Sequence, residues 1–91
     1  MKTFELTFQI STEDGSDIDL TRLEKELSYY EKSELEFIEL EVIEPSVVMV
    51  TFEMEADSIH DCPDELEALN DEDVVDEPEL YVTERVSHTS Y

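Results

Sequence analysis

The chain has 91 residues, with 27 Asp and Glu against five Lys and Arg, for a formal net charge of −22 at pH 7. Its length allows one domain and excludes a multi-domain enzyme. The charge argues against direct binding to DNA, RNA or an anionic membrane, because phosphate recognition needs Lys and Arg. A 40% hydrophobic content with four Phe and four Tyr supplies one small core, unlike a disordered acidic tail.

Residues 3–10 alternate, with Phe4, Leu6, Phe8 and Ile10 on one side and Glu5, Thr7 and Gln9 on the other. That pattern predicts a half-buried strand. Glu13-Asp14-Gly15-Ser16 reads as a turn in which Gly15 is free to take positive φ. Ser16 or Asp17 can cap a helix reaching about Lys32, whose Leu20, Leu23, Leu27 and Tyr30 form one apolar stripe. Three of the five basic residues, Arg22, Lys25 and Lys32, lie in it. Residues 35–43 predict a second strand that changes phase, from Leu35 and Phe37 to Ile38, Leu40 and Val42. The adjacent Phe37 and Ile38 imply a β-bulge or twist at that point. Glu44-Pro45-Ser46 turns the chain into a third strand over residues 47–56, with Val48, Val50, Phe52 and Met54 inward. Pro63 followed by Asp64 and Glu65 reads as the first turn of a short helix capped by Asp61 or Cys62 and anchored by Leu66 and Leu69. Residues 70–79 form an acidic loop, and Leu80, Val82 and Val86 predict a last strand. The order β-α-β-β-α-β is that of a ferredoxin-like α+β sandwich, an antiparallel sheet with helices on one face. One domain over residues 1–86 and a frayed tail over 87–91 are expected.

Several chemistries lack their residues. The longest apolar run, residues 47–50, is too short to span a bilayer. Met1 to Glu5 lacks the apolar stretch of a signal peptide. One cysteine, Cys62, forms no internal disulfide, so the cytoplasm is the expected compartment. One glycine rules out a Gly-rich phosphate loop. Asp71, Glu72, Asp73, Asp76, Glu77 and Glu79 offer oxygen ligands for Ca²⁺ or Mg²⁺ but lack the EF-hand pattern. His60-Asp61-Cys62, with only His88 as a further nitrogen donor, has no zinc-site spacing. Acid–base catalysis needs a carboxyl with a raised pKa in a cleft, for which a sandwich this small has little room. No cofactor, metal or enzymatic activity is expected.

The placement of the charge is the strongest signal. Residues 33–84 hold nineteen Asp and Glu and no Lys or Arg. Halophilic adaptation is an alternative, but Glu outnumbers Asp eighteen to nine and the charge is unevenly placed. Alternate residues on one strand face stand about 6.6 Å apart and neighbouring strands about 4.8 Å apart, so Glu39, Glu41, Glu53 and Glu55 can form a carboxylate grid. Duplex DNA carries one charge per roughly 1.7 Å, so a charge of this size matches about 37 Å of duplex. A compact chain of this length is about 31 Å across. The candidate phosphate-mimicking residues are Glu34, Glu36, Glu39, Glu41, Glu53, Glu55, Asp57, Asp61, Asp64, Glu65, Glu67, Asp71, Glu72, Asp73, Asp76, Glu77 and Glu79. Phe37, Ile43, Val47, Met49 and Tyr81 are expected on the open sheet face, an apolar patch ringed by acids that suits a protein interface or a homodimer seam.

In size, charge and compact acidic α+β build, the whole chain resembles the small DNA-mimic inhibitors of bacteriophages, of anti-CRISPR or anti-restriction type. Those proteins share no common motif, so no residue role carries over. The resemblance implies occupation of the DNA-binding groove of a host nuclease or effector complex. A basic nucleic-acid-binding protein is then the expected partner. An acidic adaptor, or an immunity-type protein covering a basic toxin, shares the same electrostatics and stays open as an alternative.

Overall fold

The computed structural model describes residues 1–27, 35–66 and 81–91. Among these the elements in chain order are β1 (Lys2–Thr12), α1 (Leu20–Leu27), β2 (Glu36–Glu44), β3 (Val47–Ala56) and β4 (Tyr81–Ser90), with a 3-10 turn at Ile59–Asp61. The strands form one sheet in the order β2-β3-β1-β4, every neighbouring pair antiparallel. β1 and β2 both run against β3 and so parallel each other, with α1 in the crossover between them. β3 and β4 are related in the same way across β1. The architecture is a small α+β fold with a four-stranded antiparallel sheet.

Period-2 alternation builds the core. Phe4, Leu6, Phe8 and Ile10 of β1 stand directly opposite Met54, Phe52, Val50 and Val48 of β3, and all eight are buried. Phe52 takes edge-to-face contacts from Phe8, with centroids 6.0 Å apart, and from Phe37 at 5.7 Å. Leu23 and Leu27 of α1 join this cluster, as do Ile18, Leu35 and Leu66.

The helix starts later than the sequence suggests. Asp19, rather than Ser16 or Asp17, is the cap: its carboxylate accepts the Arg22 N–H at 3.2 Å and its carbonyl the Leu23 N–H at 2.9 Å. Ile18, before the cap, and Leu23, at the fourth helical position, occupy the hydrophobic-staple positions and are both buried. Ser16 is used by the preceding turn instead. Gly15 has φ +78 there, the Ser16 N–H donates to the Asp14 carboxylate at 3.0 Å, and the Thr12 hydroxyl donates to the Ser16 carbonyl at 2.6 Å. Hydrogen bonding from the Ser16 side chain, and then from its N–H, holds the Asp14 carboxyl below the usual aspartate range. Tyr30 and Lys32 lie outside the described residues.

Three further expectations are corrected. Pro63 to Leu66 do not begin a helix, because their backbone groups are committed to β4: the Leu66 N–H donates to Thr83 Oγ1 at 2.9 Å and the Asp64 carbonyl accepts from the Arg85 N–H at 2.8 Å. Residues 87–90 are not a frayed tail but complete β4, with Ser90 opposite Phe4. Tyr81 does not lie on the open face: opposite Thr12, it is buried on the core side, while Val82 pairs with Ser11 on the open face. The expected residues 67–80, including Leu69 and the acidic loop, lie outside the described residues.

Candidate functional site: an acidic sheet face

The sheet face away from the core is assembled from the registers. Its first row across the strands is Glu36 (β2), Glu53 (β3), Glu5 (β1) and Thr89 (β4). The next is Glu39, Thr51, Thr7 and Ser87, then Glu41, Met49, Gln9 and Glu84, then Glu44, Val47, Ser11 and Val82. Glu55 stands beyond the first row, opposite Thr3. Eight glutamates therefore share one face, and no Lys or Arg stands among the paired positions of it. In the first row three carboxylates face one another on adjacent strands, about 4.8 Å per step. A central Thr7–Thr51 hydroxyl contact at 3.5 Å is the polar seam of the face.

Of the expected mimic residues, Glu36, Glu39, Glu41, Glu53 and Glu55 lie on this face. Glu5, Glu44 and Glu84 belong to it as well and were missed. Their signal was present for Glu5, which alternates out of phase with Phe4 and Leu6. Asp57 follows β3, with the N-terminal amine 3.9 Å away. Asp61 is exposed in the 3-10 turn and accepts the Ser58 hydroxyl at 3.5 Å. Asp64 is tied to Arg85 by a 2.9 Å ion pair, so its charge is locally compensated. Glu65 is exposed. Glu34, Glu67, Asp71, Glu72, Asp73, Asp76, Glu77 and Glu79 lie outside the described residues.

The expected apolar patch divides. Val47 and Met49 are on the open face, half-buried among the acids. Phe37 is not: it stands opposite Phe52 on the core face. The bulge expected at Phe37–Ile38 exists, but the extra residue is Ile38, so Phe37, Leu40 and Val42 share one side. Tyr81 is also on the core side, 5% exposed. Ile43 sits in a second register shift, beside Val42, and is exposed.

Arg85 explains how the face stays free of cations. It is the one basic residue after Lys32, and it stands opposite Phe8 on the core side, its side chain 17% exposed. Its guanidinium donates to the carbonyls of Pro63 at 3.1 Å and Cys62 at 3.4 Å and pairs with Asp64. Cys62 itself is buried, its thiol pushed up chiefly by burial, with Asp61 adding to the rise and Arg85 opposing it.

At one end of the face, Met1, Glu36, Glu53, Met54 and Glu55 line a shallow depression of about 370 Å³. Among the described residues, no three His, Cys, Asp or Glu side chains converge as metal ligands, and no helix is long and apolar enough to cross a membrane. What the face offers chemically is a dense array of hydrogen-bond acceptors with fixed spacing, complementary to Lys and Arg. Comparison with family models, curated proteins and solved structures finds no match to this chain.

Proposed function

We propose that the protein is a nucleic-acid mimic that inhibits a host defence nuclease or effector complex, of anti-CRISPR or anti-restriction type, by covering its DNA-binding surface in the host cytoplasm. The observation that carries this reading is the open sheet face with eight glutamates and no cation among its paired positions. Carboxylates held about 6.6 Å apart along strands and about 4.8 Å across them present acceptors at the spacing of a phosphate array. A duplex as long as the molecule's 38 Å axis carries about 22 charges at one per ~1.7 Å, and the chain's net charge is −22. The edge-to-edge repulsion in such a face disfavours folding, so its retention argues for a use. Association with a basic groove is steered by the field and weakens steeply with salt.

The strand order and the two crossovers support reading the fold as the ferredoxin-like β-α-β-β-α-β sandwich. A second helix between β3 and β4 would have to lie beyond Leu66, and ¹³C chemical shifts over residues 67–80 test for it.

The functional test uses purified DNA-cutting effectors, one RNA-guided nuclease and one restriction endonuclease, with labelled duplex DNA. Inhibition competed away by excess duplex, and abolished by reversing Glu36, Glu39, Glu41 and Glu53 to Lys, is the expected result. Inhibition that survives the four reversals sinks the mimicry reading. An effector that binds this protein and DNA together points to an acidic adaptor instead.

A further inference from the structure

We infer that the outer edge of β2 is a strand-addition site for an extended, alternately basic and apolar segment of the protein's partner. The inference rests on the acidic-face reading, because it takes the partner to be basic, and it specifies how such a partner is gripped.

β2 has one neighbour, β3, in the sheet order, so among the described residues its other side is an open edge. An edge strand sends every second pair of N–H and C=O groups outward, ready to bond an added strand. Register shifts at Ile38 and Ile43 blunt the edge at both ends and leave a regular run between them, Glu39, Leu40, Glu41 and Val42. Within that run the two glutamates face the acidic side and Leu40 and Val42 face the core side. Coverage on the core side is incomplete here: Val42 is 49% exposed, and Ile38 and Ile43 at the bulges are 46% and 54% exposed. Apolar surface therefore lines an edge whose other face is charged.

The occupant follows from period and charge. An added strand lies about 4.8 Å away with its side chains paired directly against those of β2. It must place Lys or Arg against Glu39 and Glu41, and apolar residues against Leu40 and Val42. A second copy of this chain is rejected in either register. Pairing in phase sets glutamate against glutamate, and pairing out of phase sets glutamate against Leu40 or Val42. Like charges placed directly opposite each other are unfavourable, so the edge that repels itself accepts a cationic strand.

The test uses the full chain at about 0.15 M salt, where charges beyond about 8 Å are screened, and two fluorescein-labelled peptides of one composition. The first is Thr-Lys-Val-Lys-Val-Lys-Thr; the second is its scramble Thr-Val-Val-Lys-Lys-Lys-Thr. The alternating peptide should bind at least tenfold more tightly and slow amide exchange at the alternate residues of the 39–42 run whose N–H groups point away from β3. The double variant Glu39→Lys with Glu41→Lys should lose that affinity and gain affinity for the matching Glu-Val-Glu peptide. These positions are exposed, so the variant keeps its fold, which a thermal melt checks. Equal affinity for the two lysine peptides, or slowed exchange confined to β4, overturns the inference and leaves the acidic-face reading intact. Binding of neither peptide overturns it as well, while mimicry stands or falls separately on DNA displacement.

Discussion

Arg85 ties β4 to the segment that follows β3. Its guanidinium satisfies two carbonyls of the segment after β3, and its backbone N–H holds a third. Removing it leaves part-buried carbonyls without their donors, which costs about 2–3 kcal/mol for hydrogen bonds to a charged group. For a domain of this size that is a fall of roughly 8–24 °C in melting temperature. Arg85→Ala should show that fall by thermal melt. Arg85→Lys should recover only part of it, because one ammonium cannot reproduce the planar fork. Asp64→Asn should cost under ~1 kcal/mol, since Asp64 is almost wholly exposed. A loss at Asp64 equal to that at Arg85 would mean the ion pair, rather than the carbonyls, is what matters. Six residues further on, at the C-terminus, Tyr91 donates its phenol to Glu5 at 3.0 Å and its N–H to the Thr3 carbonyl at 2.8 Å. That hydrogen bond, with the Glu5 charge, holds the phenol above the ordinary tyrosine range. A raised acid of this type favours the docked terminus below about pH 10 and loses that contribution as the phenol ionises at higher pH. Glu5→Gln should bring the Tyr91 titration, followed by ring NMR shifts, back down toward the usual value.

Among the elements, legibility tracked how strongly one physical rule dominated. β1 and β3 were readable residue by residue, because four inward apolar side chains in strict alternation admit one phase only. The position of the β2 bulge was also readable. Its consequence was not, because an inserted residue can either flip the following side chains or be absorbed, and absorption at Ile38 kept Phe37 in the core. β4 was misread in phase because its apolar residues are few. Tyr81 buries more surface than Val82, and Arg85 turns inward for the carbonyls rather than outward for water. The Pro63-Asp64-Glu65 helix signal was local chemistry overridden by β4, which takes the backbone groups that a helix would need. The α1 cap was misplaced because Ser16, Asp17 and Asp19 are all capping residues, and only the turn around Gly15 decides among them. Asp19→Ala should therefore cost about 1 kcal/mol, whereas Asp17→Ala should leave stability within ~0.5 kcal/mol. Chemical denaturation of the two variants checks this, and an equal loss at both positions would place the cap elsewhere.

At the scale of the molecule, the open face sets stability against charge density. Glu53 stands between Glu36 and Glu5 in one row, so its carboxylate meets like charge on both sides. Two unit charges about 4 Å apart in water repel by about 1 kcal/mol, and directly opposed like charges in a sheet are destabilising on that scale. Neutralising Glu53 relieves two such contacts without changing side-chain volume. Glu53→Gln should thus be more stable than the parent by about 0.5–1 kcal/mol at low ionic strength, which is roughly 2–8 °C. The gain should shrink as salt rises, because the screening length falls from about 30 Å at 0.01 M to about 3 Å at 1 M. A pair of melting series against KCl concentration, parent and variant, measures the convergence directly. A uniform gain at all salts would assign the effect to local packing rather than to the field. No gain at low salt would mean the three carboxylates are not held together as the register places them. The same substitution should raise the dissociation rate from a basic partner only slightly, as single rim charges contribute little. Under the proposed function, stability and binding should respond to this face in opposite directions, the relation expected when charge is kept on a surface despite its cost to folding.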